Sequence, residues 1–103
     1  MVKADVAIQK IYQYPDTYVI FFTYECPYCQ RAMSLLKENN VTWKGYNIND
    51  ISGGQDELLR SLNYKRLLDE YNRTHNTVHR TRPFVFYNEK FVGGLSDLQL
   101  LLQ

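Results

Sequence analysis

The chain has very little cysteine: two in 103 residues, Cys26 and Cys29. Two thiols cannot build the multi-disulfide framework of a small secreted scaffold. It has little histidine as well, with only His75 and His79, and a single tryptophan, Trp43. No strong charge of one sign is present. Twelve basic against eleven acidic residues leave a net charge of +1, which argues against a general nucleic-acid binder. No uninterrupted apolar run approaches the ~20 residues of a membrane-spanning helix. The opening Met1-Val2-Lys3-Ala4-Asp5 also lacks the apolar stretch of a signal peptide. The expectation is therefore a reducing compartment, the cytoplasm, with no membrane and no nucleic acid as partner. Internal repeats, low-complexity segments and linkers are absent too, so one domain over 1–103 is expected.

What is present is ordinary for a soluble core: 45% hydrophobic and 22% charged residues. Nine tyrosines spread along the chain read as amphipathic residues at element faces. The informative feature is the spacing of the two cysteines. Upstream, Thr17-Tyr-Val-Ile-Phe-Phe-Thr23 is a β-branched and aromatic run that reads as a buried strand. Downstream, Gln30 to Asn40 reads as a helix, with Cys29, Ala32, Met33 and Leu36 on one face. The motif Cys26-Pro27-Tyr28-Cys29 thus lies at a strand-to-helix turn, with Pro27 suited to the first helical position. Cys26 is expected to cap that helix, where free backbone N–H groups and the dipole favour a thiolate and pull its pKa down from ~8.5. Cys29, one turn in, is expected to be buried and protonated. That pair has the arrangement needed for dithiol–disulfide exchange.

Other elements follow in order. Lys3 to Tyr14 reads as an amphipathic helix with Val6, Ile8, Ile11 and Tyr12 inward, ended by Tyr14-Pro15-Asp16. Val41 to Ile48 reads as a second strand, with Trp43 available for the core, and Asn49 to Gly54 as a loop. From Gln55 to Tyr71 the composition is helical. Leu58, Leu59 and Leu62 cluster on a different face from Leu67, Leu68 and Tyr71, so a break near Ser61-Leu62-Asn63 is expected. Asn72 to Arg80 reads as a polar loop. Phe84 to Tyr87 and Lys90 to Val92 read as a hairpin around Asn88-Glu89, and Ser96 and Asp97 as the start of a last helix.

Three segments together resemble the glutaredoxin family. Cys26-Pro27-Tyr28-Cys29 with Gln30-Arg31-Ala32 is similar to a dithiol active site of that family. Thr81-Arg82-Pro83 is similar to its Thr-X-Pro segment, and Phe91-Val92-Gly93-Gly94-Leu95-Ser96-Asp97-Leu98 to its closing Gly-Gly-X-Ser-Asp-Leu segment. The resemblance implies a thioredoxin-like α/β fold in three layers, a central four-stranded mixed sheet flanked by helices. It makes the helical segment within 55–73 an insertion. It implies a monomeric, glutathione-dependent thiol–disulfide oxidoreductase that reduces protein disulfides and glutathionylated proteins. Cys26 and Cys29 become catalytic, and Thr23, Tyr28, Arg82, Pro83, Gly94, Ser96 and Asp97 become glutathione-binding. A cis bond before Pro83 and a contact between Asp97 and the γ-glutamyl amino group are also implied. Glutathione is then a co-substrate, and neither metal nor prosthetic group is required.

Two departures stand out. The family commonly carries Lys or Arg where Thr23 stands, and an apolar residue where Arg82 stands. Six basic residues between Arg60 and Arg82 face only Asp69 and Glu70 as acids, a pattern that suits an anionic tripeptide as well as a solvated face. Rival readings are a thioredoxin-type electron donor, an iron–sulfur module held through Cys26 and glutathione, and a zinc site using His75 and His79. Gly93-Gly94 with Ser96-Asp97 argues against the first, Pro27 against the second and the ligand spacing against the third, which leaves both histidines as solvated loop residues.

Overall fold

A computed structural model describes residues 1–103. Four strands form one mixed sheet in the order β2-β1-β3-β4. Strand β1 (Tyr18–Phe22) lies in the middle, parallel to β2 (Trp43–Asn47) and antiparallel to β3 (Phe84–Tyr87). Strand β4 (Lys90–Gly93) closes a hairpin with β3. Its turn residues Asn88 and Glu89 both have positive φ, 48° and 70°, as a tight two-residue hairpin requires.

Every β1 side chain is buried, because helices cover both faces of the sheet. Val19 and Phe21 point to one core, joined by Phe84, Phe86, Ile8, Leu58, Leu62 and Leu68. Ile20 and Phe22 point to the other, with Cys29, Ala32, Leu36, Val85 and Leu98. The first core lies under α1 (Ala4–Ile8), α3 (Gly54–Tyr64) and α4 (Asp69–Thr74). The second lies under α2 (Pro27–Glu38) and α5 (Leu95–Leu102). This is the three-layer, thioredoxin-like arrangement expected from the sequence.

Three local expectations change. The first helix is shorter, one α-turn followed by a 3₁₀ turn over Gln9–Tyr12, and Val6 and Tyr12 stay about half exposed. Ala4 and Ala7 make the contact instead, with Ile8 and Ile11, since small side chains let the backbone approach closely. The break in the helical segment 55–73 falls after Tyr64, not at 61–63. Ser61 and Leu62 are buried inside α3, and Ser61 donates a hydrogen bond to Asp5 of α1. The chain turns at Arg66, whose φ is +59°. The last helix starts at Leu95, with Gly94 at its N-cap and no side-chain cap bond. Ser96 and Asp97 lie within its first turn, so Asp97 does not act as the cap.

Candidate active site

The C-terminal end of β1 hands directly to the cysteine motif. Cys26 is the N-cap of α2 and Pro27 its first residue. The Cys29 backbone N–H donates to Cys26 Sγ at 3.3 Å, and Gln30 N–H to the Cys26 carbonyl at 3.0 Å. One helix-terminal donor, the Cys29 N–H, thus points at the outer sulfur. The two thiols differ sharply in access. Cys26 is partly exposed, while Cys29 has no exposed surface. Burial pushes the Cys29 thiol up to about 12, assisted by the neighbouring Cys26 and opposed by a Thr23 backbone hydrogen bond and the Arg82 charge. The inner sulfur is therefore held as a thiol.

Tyr28, two residues past Cys26 in the first turn of α2, opens onto a groove of about 400 Å³ and lines one part of it. The segment Thr81-Arg82-Pro83 lines another, with a cis Arg82–Pro83 bond. Gly94 to Asp97, at the start of α5, line the rest, together with Tyr71 and His79. Tyr28, Arg82, Pro83, Gly94, Ser96 and Asp97 therefore meet in one place, although far apart in sequence. Thr23 does not join them. It is fully buried at the end of β1 and its Oγ1 has no hydrogen-bond partner, so its side chain cannot reach a ligand in the groove. Arg82 is half-buried at the groove wall, and its charge helps, after Glu25's own backbone hydrogen bond and Asn49, to hold the exposed Glu25 carboxyl low.

Backbone freedom matters at Gly93. Its φ is +122°, and a Cβ there would lie 2.2 Å from Asp97 Oδ2. Gly93 therefore lets the Asp97 carboxylate fold back against the end of β4. At Gly94 a Cβ would meet only ordinary contacts, with His79 Cε1 at 3.4 Å and the Pro83 carbonyl at 3.6 Å.

Both histidines do lie in the turn and loop that follow α4, with His75 exposed and His79 half-buried, but both are tied to neighbouring side chains. The Tyr71 hydroxyl donates to Asp97 Oδ2 at 2.6 Å, and His75 Nε2 lies 3.7 Å from Asp97 Oδ1. His75 stacks on the Tyr71 ring, with centroids 3.9 Å apart and planes 19° apart. His79 packs edge-on against Phe84 and Phe91, and its Nε2 donates to the Thr81 carbonyl at 2.6 Å. Burial holds the His79 imidazole below its usual range, against the raising effect of the Thr81 carbonyl and Asp97. Tyr71, His75 and His79 are thus site residues that the sequence reading missed. The only local hint is their spacing of four, which puts Tyr71 and His75 on one helical face.

Comparison with known proteins agrees with this geometry. A glutaredoxin family model matches residues 18–92. A probable glutaredoxin of Acanthamoeba polyphaga mimivirus is 49% identical over 84 residues, 82% of this chain and 76% of that one. Glutaredoxin-1 of Gallus gallus is 37% identical over 84 residues, 82% of this chain and 71% of that one. Among solved structures, a buckwheat glutaredoxin–glutathione complex superposes with a TM-score of 0.70, covering 94% of this chain and 76% of that one. At 24% identity that likeness speaks for the fold.

Proposed function

The chain belongs to the glutaredoxin family of thiol–disulfide oxidoreductases, and on that premise we propose that it uses glutathione as its electron donor. The observation that carries the reading is the groove in which Tyr28 of the cysteine motif meets Thr81 to Pro83 and Gly94 to Asp97. An extended thiol peptide fits there as an added strand against the Arg82 backbone. The first-turn N–H groups at Ser96 and Asp97 suit a carboxylate, and the Asp97 side chain suits an ammonium.

The chemistry has two branches. On a glutathionylated protein, Cys26 thiolate attacks the glutathione sulfur and expels the protein thiolate. A second glutathione thiolate then attacks the glutathione sulfur of that mixed disulfide, releasing glutathione disulfide and restoring Cys26. On a protein disulfide, Cys26 attacks one sulfur and the other leaves as thiolate. Cys29 gives up its proton and attacks Cys26, releasing the reduced protein and forming the Cys26–Cys29 disulfide. Two glutathiones reduce that bond. The same reading expects a monomer in a reducing compartment, the cytoplasm.

The test couples the protein to glutathione, glutathione reductase and a glutathione mixed disulfide with a small thiol. Steady NADPH consumption that depends on both glutathione and Cys26 is the expected result. Turnover only with a flavoprotein thioredoxin reductase would overturn the reading.

A further inference from the structure

The helical segment 55–73 brings α4 against β4, and with it two rings to the Asp97 carboxylate. Tyr71 Oη donates to Oδ2 and so occupies that oxygen. Burial, and then the Asp97 carboxylate, push the Tyr71 phenol up to about 12, so it stays a donor at neutral pH. His75 Nδ1 lies 2.9 Å from the Tyr71 carbonyl. A carbonyl only accepts, so the proton of the neutral ring sits on Nδ1 and Nε2 keeps its lone pair. That lone pair faces Asp97 Oδ1 across 3.7 Å. With the ring neutral the gap joins two acceptors, and it is too long for a direct hydrogen bond. Both side chains are partly open to solvent, 45% for His75 and 25% for Asp97, so a ligand can enter.

We propose that His75 is a second acceptor for the γ-glutamyl ammonium of glutathione, forming with Asp97 a two-acceptor site that distinguishes a free amine from a blocked one. The inference rests on the glutathione reading above and adds a specificity residue to it. An ammonium carries three N–H donors and can bridge both acceptors, whereas an acylated amine has lost its charge and two of the donors. The Tyr71 stack fixes the imidazole plane, and the Tyr71 hydroxyl fixes the carboxylate.

The experiment compares wild type, His75→Phe and His75→Gln on two substrates. One is the mixed disulfide of glutathione with a small thiol. The other is the same compound acetylated on its α-amine. Wild type should prefer the free amine. His75→Phe keeps a stacking ring but no acceptor, and should lose roughly three- to tenfold of that preference, in KM and not in kcat. His75→Gln restores an acceptor oxygen and should recover most of the loss. A preference unchanged in His75→Phe overturns the proposal. So does an equal loss on both substrates, which marks a packing role. His75→Leu carries the same comparison should the phenylalanine disturb folding. Wild type inactive on both compounds refutes instead the glutathione reading on which the proposal stands.

Discussion

A single methyl group at position 93 should damage this protein far more than one at position 94. In Gly93→Ala the backbone must hold an L residue at φ +122°, or abandon that conformation. Strain of this kind costs about 1–3 kcal/mol. The new Cβ would also lie 2.2 Å from Asp97 Oδ2, 2.7 Å from its Cγ and 2.9 Å from its Cβ. Rotating the carboxylate relieves the first two contacts and not the third, so the first turn of α5 has to move away from β4. The Tyr71–Asp97 hydrogen bond, made to a carboxylate, breaks with it, at about 1.5–3 kcal/mol. A total near 3–6 kcal/mol lowers Tm by roughly 10–50 °C in a domain of this size. Gly94→Ala has a negative φ of −99° and meets only ordinary contacts, so its Tm should fall by no more than about 5 °C. Its methyl group nonetheless projects toward the groove wall at His79 and should raise KM for glutathione. Thermal unfolding followed by circular dichroism, with steady-state kinetics on both variants, makes the comparison. If Gly93→Ala melts no lower than Gly94→Ala, the packing of Asp97 against β4 is wrong.

Cys26→Ser should abolish all exchange activity, while Cys29→Ser should keep reduction of glutathione mixed disulfides and lose reduction of protein disulfides. Deglutathionylation by Cys26→Ser would sink the assignment of the nucleophile. A pH effect follows from the buried Cys29 thiol, raised to about 12 from an ordinary value of 9.0. Its contribution to stability is full below pH 9.0 and is lost as pH climbs toward 12, because only the unfolded chain ionises readily in that window. Denaturant titrations from pH 8 to 11 should show a shallower alkaline decline for Cys29→Ala than for wild type, and parallel curves would refute the burial argument. Arg82→Val tests whether the groove arginine binds a glutathione carboxylate in place of the basic residue missing at Thr23. A several-fold rise in KM, diminishing with salt, is expected from a contact of about 1 kcal/mol, and unchanged salt dependence argues that only the Arg82 backbone matters.

How far the sequence carried the structure depends on how local each signal is. The run Tyr-Val-Ile-Phe-Phe between Thr17 and Thr23 could only be a buried strand, and it is the one filled on both faces. The turn to Cys26 and Pro27 was legible because capping chemistry is written in adjacent residues. In the helical segment 55–73 the mismatch between the Leu58 and Leu67 clusters was visible. Its position was not, because the chain turns at Arg66, a non-glycine residue in left-handed conformation that carries no sequence signal. Large side chains misled at the N-terminus, where Ala4 and Ala7 make the contact that Val6 and Tyr12 were expected to make. His75 and His79 do lie in turn and loop, and their polar neighbours hid that they are packed. Their partners, Asp97, Phe84 and Phe91, lie beyond any local window.

The unequal access of the two sulfurs works as a turnstile. Cys29 has no exposed surface, so an incoming disulfide can engage only Cys26, and the adduct that an outside thiol resolves is always the one on Cys26. A stray adduct on the inner sulfur has no room to form. The order of events is then set by which atom a visitor can touch, before any difference in reactivity between the thiols comes into play. Such a device does not depend on the identity of the visiting disulfide.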